Sequence, residues 1–171
     1  MKNSLVIYYS WSGTTQRVAE IIAEQTGSEL LRLQPKQPYP KSYYDTLAQA
    51  KRELRTTYRP DLLPFHKKIA QYETLFLGTP NWCGMAAPPL TSFLYQIMPC
   101  DKNIVPFCTH GGGGVEQVAD DIARYCLGCD IFPILTIENG SKQEETQVKS
   151  WLEQIRPALN SMAVYSNHQK S

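Results

Sequence analysis

Residues 4–15 of the chain read SLVIYYSWSGTT, and this stretch decides the fold. Its first six residues form a continuous apolar run rich in β-branched and aromatic side chains, which is typical of a strand covered on both faces of a parallel sheet. From Thr14 the apolar residues recur at helical spacing until Gly27, which favours the end of a helix. The chain therefore begins with a buried strand that leads through a hydroxyl-rich loop into a helix.

The same alternation continues along the chain. Short apolar runs predict further strands at residues 29–33, 74–79, 103–109 and 131–137. Helical spacing predicts helices at residues 42–56, 88–98, 115–123 and 148–155. Because right-handed crossovers place successive helices on both faces of a parallel sheet, this alternation predicts a three-layer α/β fold with a doubly wound, five-stranded sheet.

Prolines mark the weak points of this pattern. Proline cannot donate a hydrogen bond to a neighbouring strand, so we expect a local irregularity at Pro106, whereas Pro133 suits an edge strand. Pro157 is expected to stop the last helix. We therefore expect one domain at residues 1–157 and a loose C-terminal tail at residues 158–171.

Length and composition are those of an ordinary globular domain. The chain has 171 residues, which is enough for one hydrophobic core. Its 17 Lys and Arg and 16 Asp and Glu give a net charge of +1, which provides no field to attract nucleic acid or an anionic membrane. The sequence shows neither a membrane-spanning run nor a secretory signal, and it has an odd number of cysteines, 5. We therefore expect a cytoplasmic protein with reduced thiols.

The first loop, residues 10–15, is placed to hold an anion. The free backbone N–H groups of the first helical turn point into such a loop, and the helix dipole favours negative charge there. The loop has neither the Gly-Lys-Ser/Thr of a nucleotide triphosphatase nor the G-x-G-x-x-G of a dinucleotide fold, so a lone monophosphate fits better. The alternative is a helix N-cap with spare hydroxyls. The candidate residues are Ser10, Trp11, Ser12, Gly13, Thr14 and Thr15.

The first loop resembles the T/S-x-T/S-G-x-T phosphate loop of the flavodoxin family, and two later stretches resemble the loops of that family that contact the flavin ring. Residues 78–84 read GTPNWCG, where Trp82 matches the aromatic residue that stacks on the ring, and residues 109–114 read THGGGG. The resemblance spans residues 2–156, is closest to the short form of the family, and implies non-covalently bound FMN and strand order 2-1-3-4-5. The ring-contacting residues that it implies are Pro80, Asn81, Trp82, Cys83, Gly84, Thr109, His110, Gly111 and Gly112.

Each of these residues has a simpler interpretation. Trp82 could belong to the core, although the residues around it are typical of a loop. The glycines at 111–114 could form a second phosphate loop, His110 could be a solvated loop residue, and Cys83 a small apolar filler. Cys126 and Cys129 lie before the fifth predicted strand without nearby histidines, so inert thiols are favoured over a metal site. No metal site and no catalytic side chain is predicted.

The resemblance implies an FMN-binding protein that shuttles electrons, because the flavin itself carries them. Two features depart from dedicated carriers: the net charge is near zero, and residues 109–114 contain no aromatic residue. An FMN-dependent NAD(P)H oxidoreductase acting on a quinone or similar small acceptor is therefore the alternative. The expected partner is a redox protein or a small-molecule donor or acceptor, with the chain a monomer or weak dimer. A phosphate-binding regulatory module without redox activity is a third interpretation.

Overall fold

Strands and helices alternate along the chain. The computed structural model describes residues 3–168, and for residues 162–168 it describes the backbone alone. No helix within that range is both long and apolar enough to cross a membrane. In chain order the elements are β1 Ser4–Tyr8, α1 Thr14–Thr26, β2 Glu29–Arg32, α2 Tyr43–Thr56, a 3₁₀ turn at Ile69–Gln71, β3 Thr74–Trp82, β4 Met85–Ala86, α3 Pro88–Ile97, β5 Asn103–His110, α4 Val118–Ala123, β6 Asp130–Ile131, β7 Leu135–Glu138 and α5 Glu144–His168.

The main strands form one parallel sheet. β1 lies between β2 and β3, and β5 pairs with the other side of β3. The short strands β6 and β7 together form the far edge beside β5. The fourth predicted strand is β5, and the fifth corresponds to β6 and β7 together. The order of the predicted strands across the sheet is therefore 2-1-3-4-5, and the predicted fold and strand order are confirmed. β4 is an addition that pairs antiparallel with the end of β3.

Helices cover both faces of the sheet because its central strands are apolar on both sides. All five residues of β1 are buried. Leu5 and Ile7 pack in a cluster with residues of α3 and α4, whereas Val6 and Tyr8 pack in a second cluster with residues of α1 and α5. Each fully buried aliphatic side chain contributes roughly 1.5–3 kcal/mol relative to an exposed one, so these two apolar layers stabilise β1 in the interior of the fold.

The irregularity expected at Pro106 is confirmed. Ile104 accepts a hydrogen bond from the Phe132 amide at 2.8 Å, so Pro106, two residues further along the strand, has its nitrogen facing the same edge. The edge strand is divided there, because β6 pairs with Asn103 and Ile104 while β7 pairs only from Phe107 onward. The missing N–H of proline thus falls where β5 has no edge partner among the described residues.

Pro157 does not stop the last helix. α5 runs from Glu144 to His168 with Pro157 inside it. Leu159, two residues beyond the proline, is still buried in the cluster on that face of the sheet. Apolar packing therefore holds the helix across the proline, where the backbone loses one hydrogen bond. The predicted helix end is wrong, and the division into a domain and a tail at residue 157 stays a prediction.

Gly78 is the position in β3 where the packing is most sensitive to an added methyl group. A Cβ on Gly78 would overlap the ring of Phe107, its buried partner in β5. We expect Gly78→Ala to lower the free energy of unfolding by about 1–3 kcal/mol, measured by urea denaturation of the ligand-free protein. Gly111→Ala is the matched control, since the nearest atom to its Cβ is Asn139 Nδ2 at 3.8 Å. Equal losses for the two variants would contradict this packing.

Candidate functional site

Three loops meet at the carboxyl edge of the sheet, where β1, β3 and β5 end. Hydrogen bonds connect them directly. The buried hydroxyls of Thr15, in α1, and Thr109, near the end of β5, lie 2.8 Å apart. Asn81, near the end of β3, donates from Nδ2 to the carbonyl oxygens of Gly113 at 2.9 Å and Gly114 at 3.2 Å. The residues predicted from sequence are therefore brought together at one edge.

The hydroxyls of the first loop do not cap α1. Gly13 is the N-cap residue, with φ of 95°, and no side chain accepts a hydrogen bond from the first turn. Ser10 Oγ instead accepts from the Gly13 amide at 3.1 Å, and Ser12 Oγ lies 3.2 Å from Thr14 Oγ1. No acidic residue lies in the first turn. The simple N-cap alternative therefore does not apply, and the first-turn amides of α1 have no side-chain acceptor among the described residues.

The amino end of helix α2, unlike that of α1, is capped by a side chain. Its N-cap residue, Ser42, accepts a hydrogen bond from the Asp45 amide, and Asp45 adds a negative charge in the first turn. Both features satisfy the positive amino end of that helix. α1 has neither, although its loop contains more hydroxyl groups than the α2 cap. The amino end of α1 thus lacks both the side-chain cap and the acidic residue that α2 has.

The loop after the third strand is a tight hairpin. The sequence predicted a strand end at residue 79, but β3 continues to Trp82 and turns back into β4 through Cys83 and Gly84. Both turn residues have positive φ, 56° and 84°, as a two-residue turn of the I′ type requires. Asn81 Oδ1 accepts the Gly84 amide at 2.9 Å, and Thr79 Oγ1 accepts the Ala87 amide at 2.8 Å. These bonds hold Trp82 in a fixed position at the sheet edge.

Two tyrosines support the Trp82 ring. Tyr39 meets it edge to face at 4.8 Å between ring centroids, and Tyr9 does so at 5.6 Å. The Tyr39 hydroxyl donates to the buried carboxylate of Glu53, in α2, at 2.5 Å. Burial, reinforced by Glu53, raises the pKa of Tyr39 far above its ordinary value, so the hydroxyl stays a neutral donor. This chain of contacts ties α2 to Trp82.

His110 organises the glycine loop, residues 110–114. Its Nδ1 accepts hydrogen bonds from the amides of Gly112 at 3.2 Å and Gly113 at 3.0 Å. Nδ1 is therefore unprotonated in this arrangement, and the ring hydrogen lies on Nε2. Gly112 has φ of 133°, which favours glycine at that position. His110 thus stabilises the conformation of the glycine loop through these two hydrogen bonds.

A cavity of about 320 Å³ lies between these loops, and we call it the site cavity. Its volume is in the range of small-molecule sites, ~300–1,000 Å³. No acidic or basic side chain other than His110 is among its described lining residues. The predicted residues that line it are Trp11, Ser12, Pro80, Asn81, Trp82, Cys83, Thr109, His110 and Gly111. The other predicted residues lie around it in the three loops: Ser10, Gly13, Thr14, Thr15, Gly84 and Gly112.

Sequence reasoning missed one wall of the site cavity. α2 contributes Tyr43, Thr46, Leu47 and Ala50, and the loop after β7 contributes Asn139. Asn139 could have been found, because it follows the fifth strand at the same edge of the sheet. The residues of α2 carried no such signal, since the segment before that helix is irregular and its docking position depends on tertiary contacts.

The cysteine pair before the edge strand is not part of the site. Cys126 is buried and burial raises the pKa of its thiol to about 12, while Cys129 is half-buried and donates to the Pro99 carbonyl at 3.3 Å. A thiol with so high a pKa is a poor nucleophile and a poor metal ligand. Within residues 3–168 no three His, Cys, Asp or Glu side chains cluster as a metal site would require.

Several solved structures share this fold. A flavoprotein from Lactobacillus acidophilus NCFM, solved in complex with FMN, is 22% identical and has a TM-score of 0.73 over 88% of this chain and 99% of that chain. A protein from Bacteroides eggerthii DSM 20697 is 25% identical, with a TM-score of 0.75 over 90% and 98%. An NADH:FMN oxidoreductase in its apo form is 15% identical, with a TM-score of 0.55 over 92% and 90%. No curated protein matches the chain.

The family itself follows from the sequence match. A family model described as Flavodoxin matches residues 3–155, which is most of the chain. The resemblance inferred from the three loops is thereby confirmed, and the chain belongs to the flavodoxin family.

Proposed function

We propose that the chain binds FMN non-covalently at the site cavity and transfers electrons through it. One observation carries the proposal: the uncapped amino end of α1 adjoins the cavity beside Trp82, because Trp11 and Ser12, which directly precede that helix end, line the cavity. A single ligand that reaches from one to the other needs a terminal phosphate and a flat ring. FMN has both.

The phosphate end fits the donors that the first loop offers. Neither lysine nor arginine lies in residues 10–15, so neutral donors and the partial positive charge of the helix end would bind the dianion. Gly13, with its positive φ and open space where a Cβ would stand, allows the backbone to approach a phosphate closely. A site of this kind suits one phosphate and lacks the lysine of triphosphate sites.

The ring end fits the walls of the site cavity. Trp82 offers an aromatic surface, and the glycine loop offers backbone groups without side chains in the way. Tyr43 of α2 lines the same cavity and can supply the second aromatic residue that residues 109–114 lack. The flavoprotein from Lactobacillus acidophilus that shares the fold was solved with FMN.

When bound, FMN supplies one- and two-electron transfer. The residues of the chain would bind the phosphate, orient the ring and exclude water from one of its faces. Because no lysine or arginine is among the described lining residues of the site cavity, the cavity itself offers no fixed positive charge to compensate added negative charge at the ring. The site thus favours a low reduction potential.

An FMN-dependent NAD(P)H oxidoreductase that acts on a quinone or similar small acceptor is the second candidate. The observation that favours it is a larger cavity of about 620 Å³, which shares Trp11 and Ser12 with the site cavity and leaves room for another ligand. The net charge of +1 also provides no overall negative charge to steer the chain toward a basic redox protein. An NADH:FMN oxidoreductase shares the fold.

The primary test compares FMN with riboflavin, which lacks the phosphate. Charge-assisted hydrogen bonds each contribute about 1.5–3 kcal/mol, so two of them make FMN bind at least ~100-fold more tightly than riboflavin. Calorimetric titration of the flavin-free protein with both ligands measures the ratio. Equal affinities would reject the role of the first loop, and no uptake of either ligand would reject the proposed function.

The role of α2 is tested with two neighbouring tyrosines. Tyr43 lines the site cavity, whereas Tyr44, the next residue, does not and is 80% exposed. Loss of one aromatic contact costs about 0.5–1.5 kcal/mol, so Tyr43→Leu should raise the FMN dissociation constant ~2–13-fold. Tyr44→Leu should leave it unchanged. Identical behaviour of the two variants in a flavin-fluorescence titration would show that Tyr43 does not contact the ring.

Carrier and oxidoreductase differ in how the flavin receives electrons. Anaerobic stopped-flow mixing of FMN-loaded protein with NADH or NADPH follows the loss of flavin absorbance. For the oxidoreductase we expect reduction at ~1 s⁻¹ or faster without any added reductase, in the range of ordinary enzyme turnover. For the carrier we expect reduction only after a flavin reductase is added. Slow reduction by both nucleotides would therefore reject the oxidoreductase and favour the electron carrier.

A further inference from the structure

A second cavity lies beside the site cavity at the carboxyl end of β2. Its volume is about 620 Å³, and Trp11 and Ser12 line both cavities. The proline-rich segment at residues 35–41 forms one wall, and Trp11 Nε1 fixes this wall by donating to the Pro40 carbonyl at 3.0 Å. A ligand in the second cavity would thus lie next to the first loop and within reach of the ring site.

The second cavity carries positive charge without a matching acid. Arg32, Lys36 and Lys41 line it, and no Asp or Glu is among its described lining residues. Lys36 pairs with Asp61, which lies outside the lining, at 3.3 Å between Nζ and Oδ2. Arg32 and Lys41 have no ion pair with any residue that the structure describes. Two uncompensated cations at one cavity favour an anionic ligand.

Neutral donors and flat surfaces accompany these cations. The Tyr9 side chain lines the second cavity, and its hydroxyl makes no hydrogen bond to the described residues. Burial raises the pKa of Tyr9, so this hydroxyl remains a neutral donor. The Tyr39 ring and the side chains of Leu33 and Leu63 supply apolar walls. Cations, a hydroxyl donor and apolar walls together match a phosphate attached to a flat base.

We propose that the second cavity binds the 2′-phosphoadenosine end of NADPH, beside the flavin. The inference rests on the oxidoreductase form of the proposed function, because NADPH in this cavity would serve as the electron donor to the adjacent flavin. Arginine recognises phosphate through two parallel donors, which makes Arg32 the principal contact and Lys41 the second. NADH has a neutral ribose hydroxyl in place of that phosphate, so the cations of the cavity favour NADPH.

The direct test is a binding experiment with 2′,5′-ADP, which carries the 2′-phosphate but no nicotinamide. The ligands are titrated calorimetrically into protein that is saturated with FMN. We expect 2′,5′-ADP to bind on the order of 10-fold or more tightly than either 5′-AMP or inorganic phosphate. Arg32→Gln and Lys41→Gln should each weaken 2′,5′-ADP binding by roughly 10-fold. Lys51→Gln is the matched control, because Lys51 is an exposed lysine of α2 that lines neither cavity.

Three results would overturn the inference. Equal affinity for 2′,5′-ADP and 5′-AMP would mean that the 2′-phosphate is not recognised. Equal affinity for inorganic phosphate would mean that the cavity recognises no nucleotide. Release of FMN during the titration, seen in the flavin absorbance, would mean that the nucleotide competes for the first loop.

The binding test also separates this inference from the proposed function. Failure of 2′,5′-ADP to bind a protein that is fully loaded with FMN would reject the inference alone, whereas failure to load FMN would reject the proposed function. In steady-state assays of FMN-loaded protein, Arg32→Gln should raise the KM for NADPH with kcat and the KM for NADH unchanged. A fall in kcat with unchanged KM would contradict a binding role.

Discussion

Parallel pairing of β1, β3 and β5 is the constraint on which the site depends. Parallel strands need crossover connections, so all of these strands end at the same edge of the sheet. The loop that follows each strand therefore lies at that edge. Direct bonds then join the loops: the buried hydroxyl pair of Thr15 and Thr109, and the Asn81 amide with the carbonyl oxygens of the glycine loop. The sheet places the loops within reach, and these bonds fix their relative positions.

The wall formed by α2 is held differently. Its buried residues are Thr46, Ala50 and Glu53, two of which are polar, so apolar burial contributes little to its docking. The buried carboxylate of Glu53 is satisfied by the Tyr39 hydroxyl and by Gln49 Nε2 at 2.8 Å. Such a buried polar pair stabilises only while it is complete, since removing one partner leaves the other unsatisfied. The cavity wall at α2 therefore depends on a few directed bonds, unlike the apolar layers around the sheet.

This difference explains what could be predicted from the sequence. The five strands and the three loops followed from continuous apolar runs such as residues 4–9 and from the residues directly after each run, because local patterns determine both. The strand order, in contrast, was implied by the family resemblance. The helix of α2 was predicted correctly from an apolar face formed by Tyr43, Leu47, Ala50 and Leu54. Of these four residues only Ala50 is buried, and Tyr43 is 62% exposed. Helical spacing identifies an apolar stripe only when the helix docks through apolar contacts. The prediction that Pro157 ends the last helix failed for a related reason, since the packing of Leu159 outweighs the local tendency of proline to break a helix.

Net charge illustrates the same limit at the level of electrostatics. A sum of +1 excludes a strong long-range field but says nothing about how charges are distributed over the folded surface. Arg32 and Lys41 are nine residues apart in sequence and line one cavity in the structure, whereas no Asp, Glu, Lys or Arg is among the described lining of the neighbouring site cavity. Screening limits exposed charges to ~8–10 Å at physiological salt, so these cations act on a ligand in the cavity and not on a distant protein. The chain therefore combines a net charge near zero with a locally charged cavity next to the site cavity.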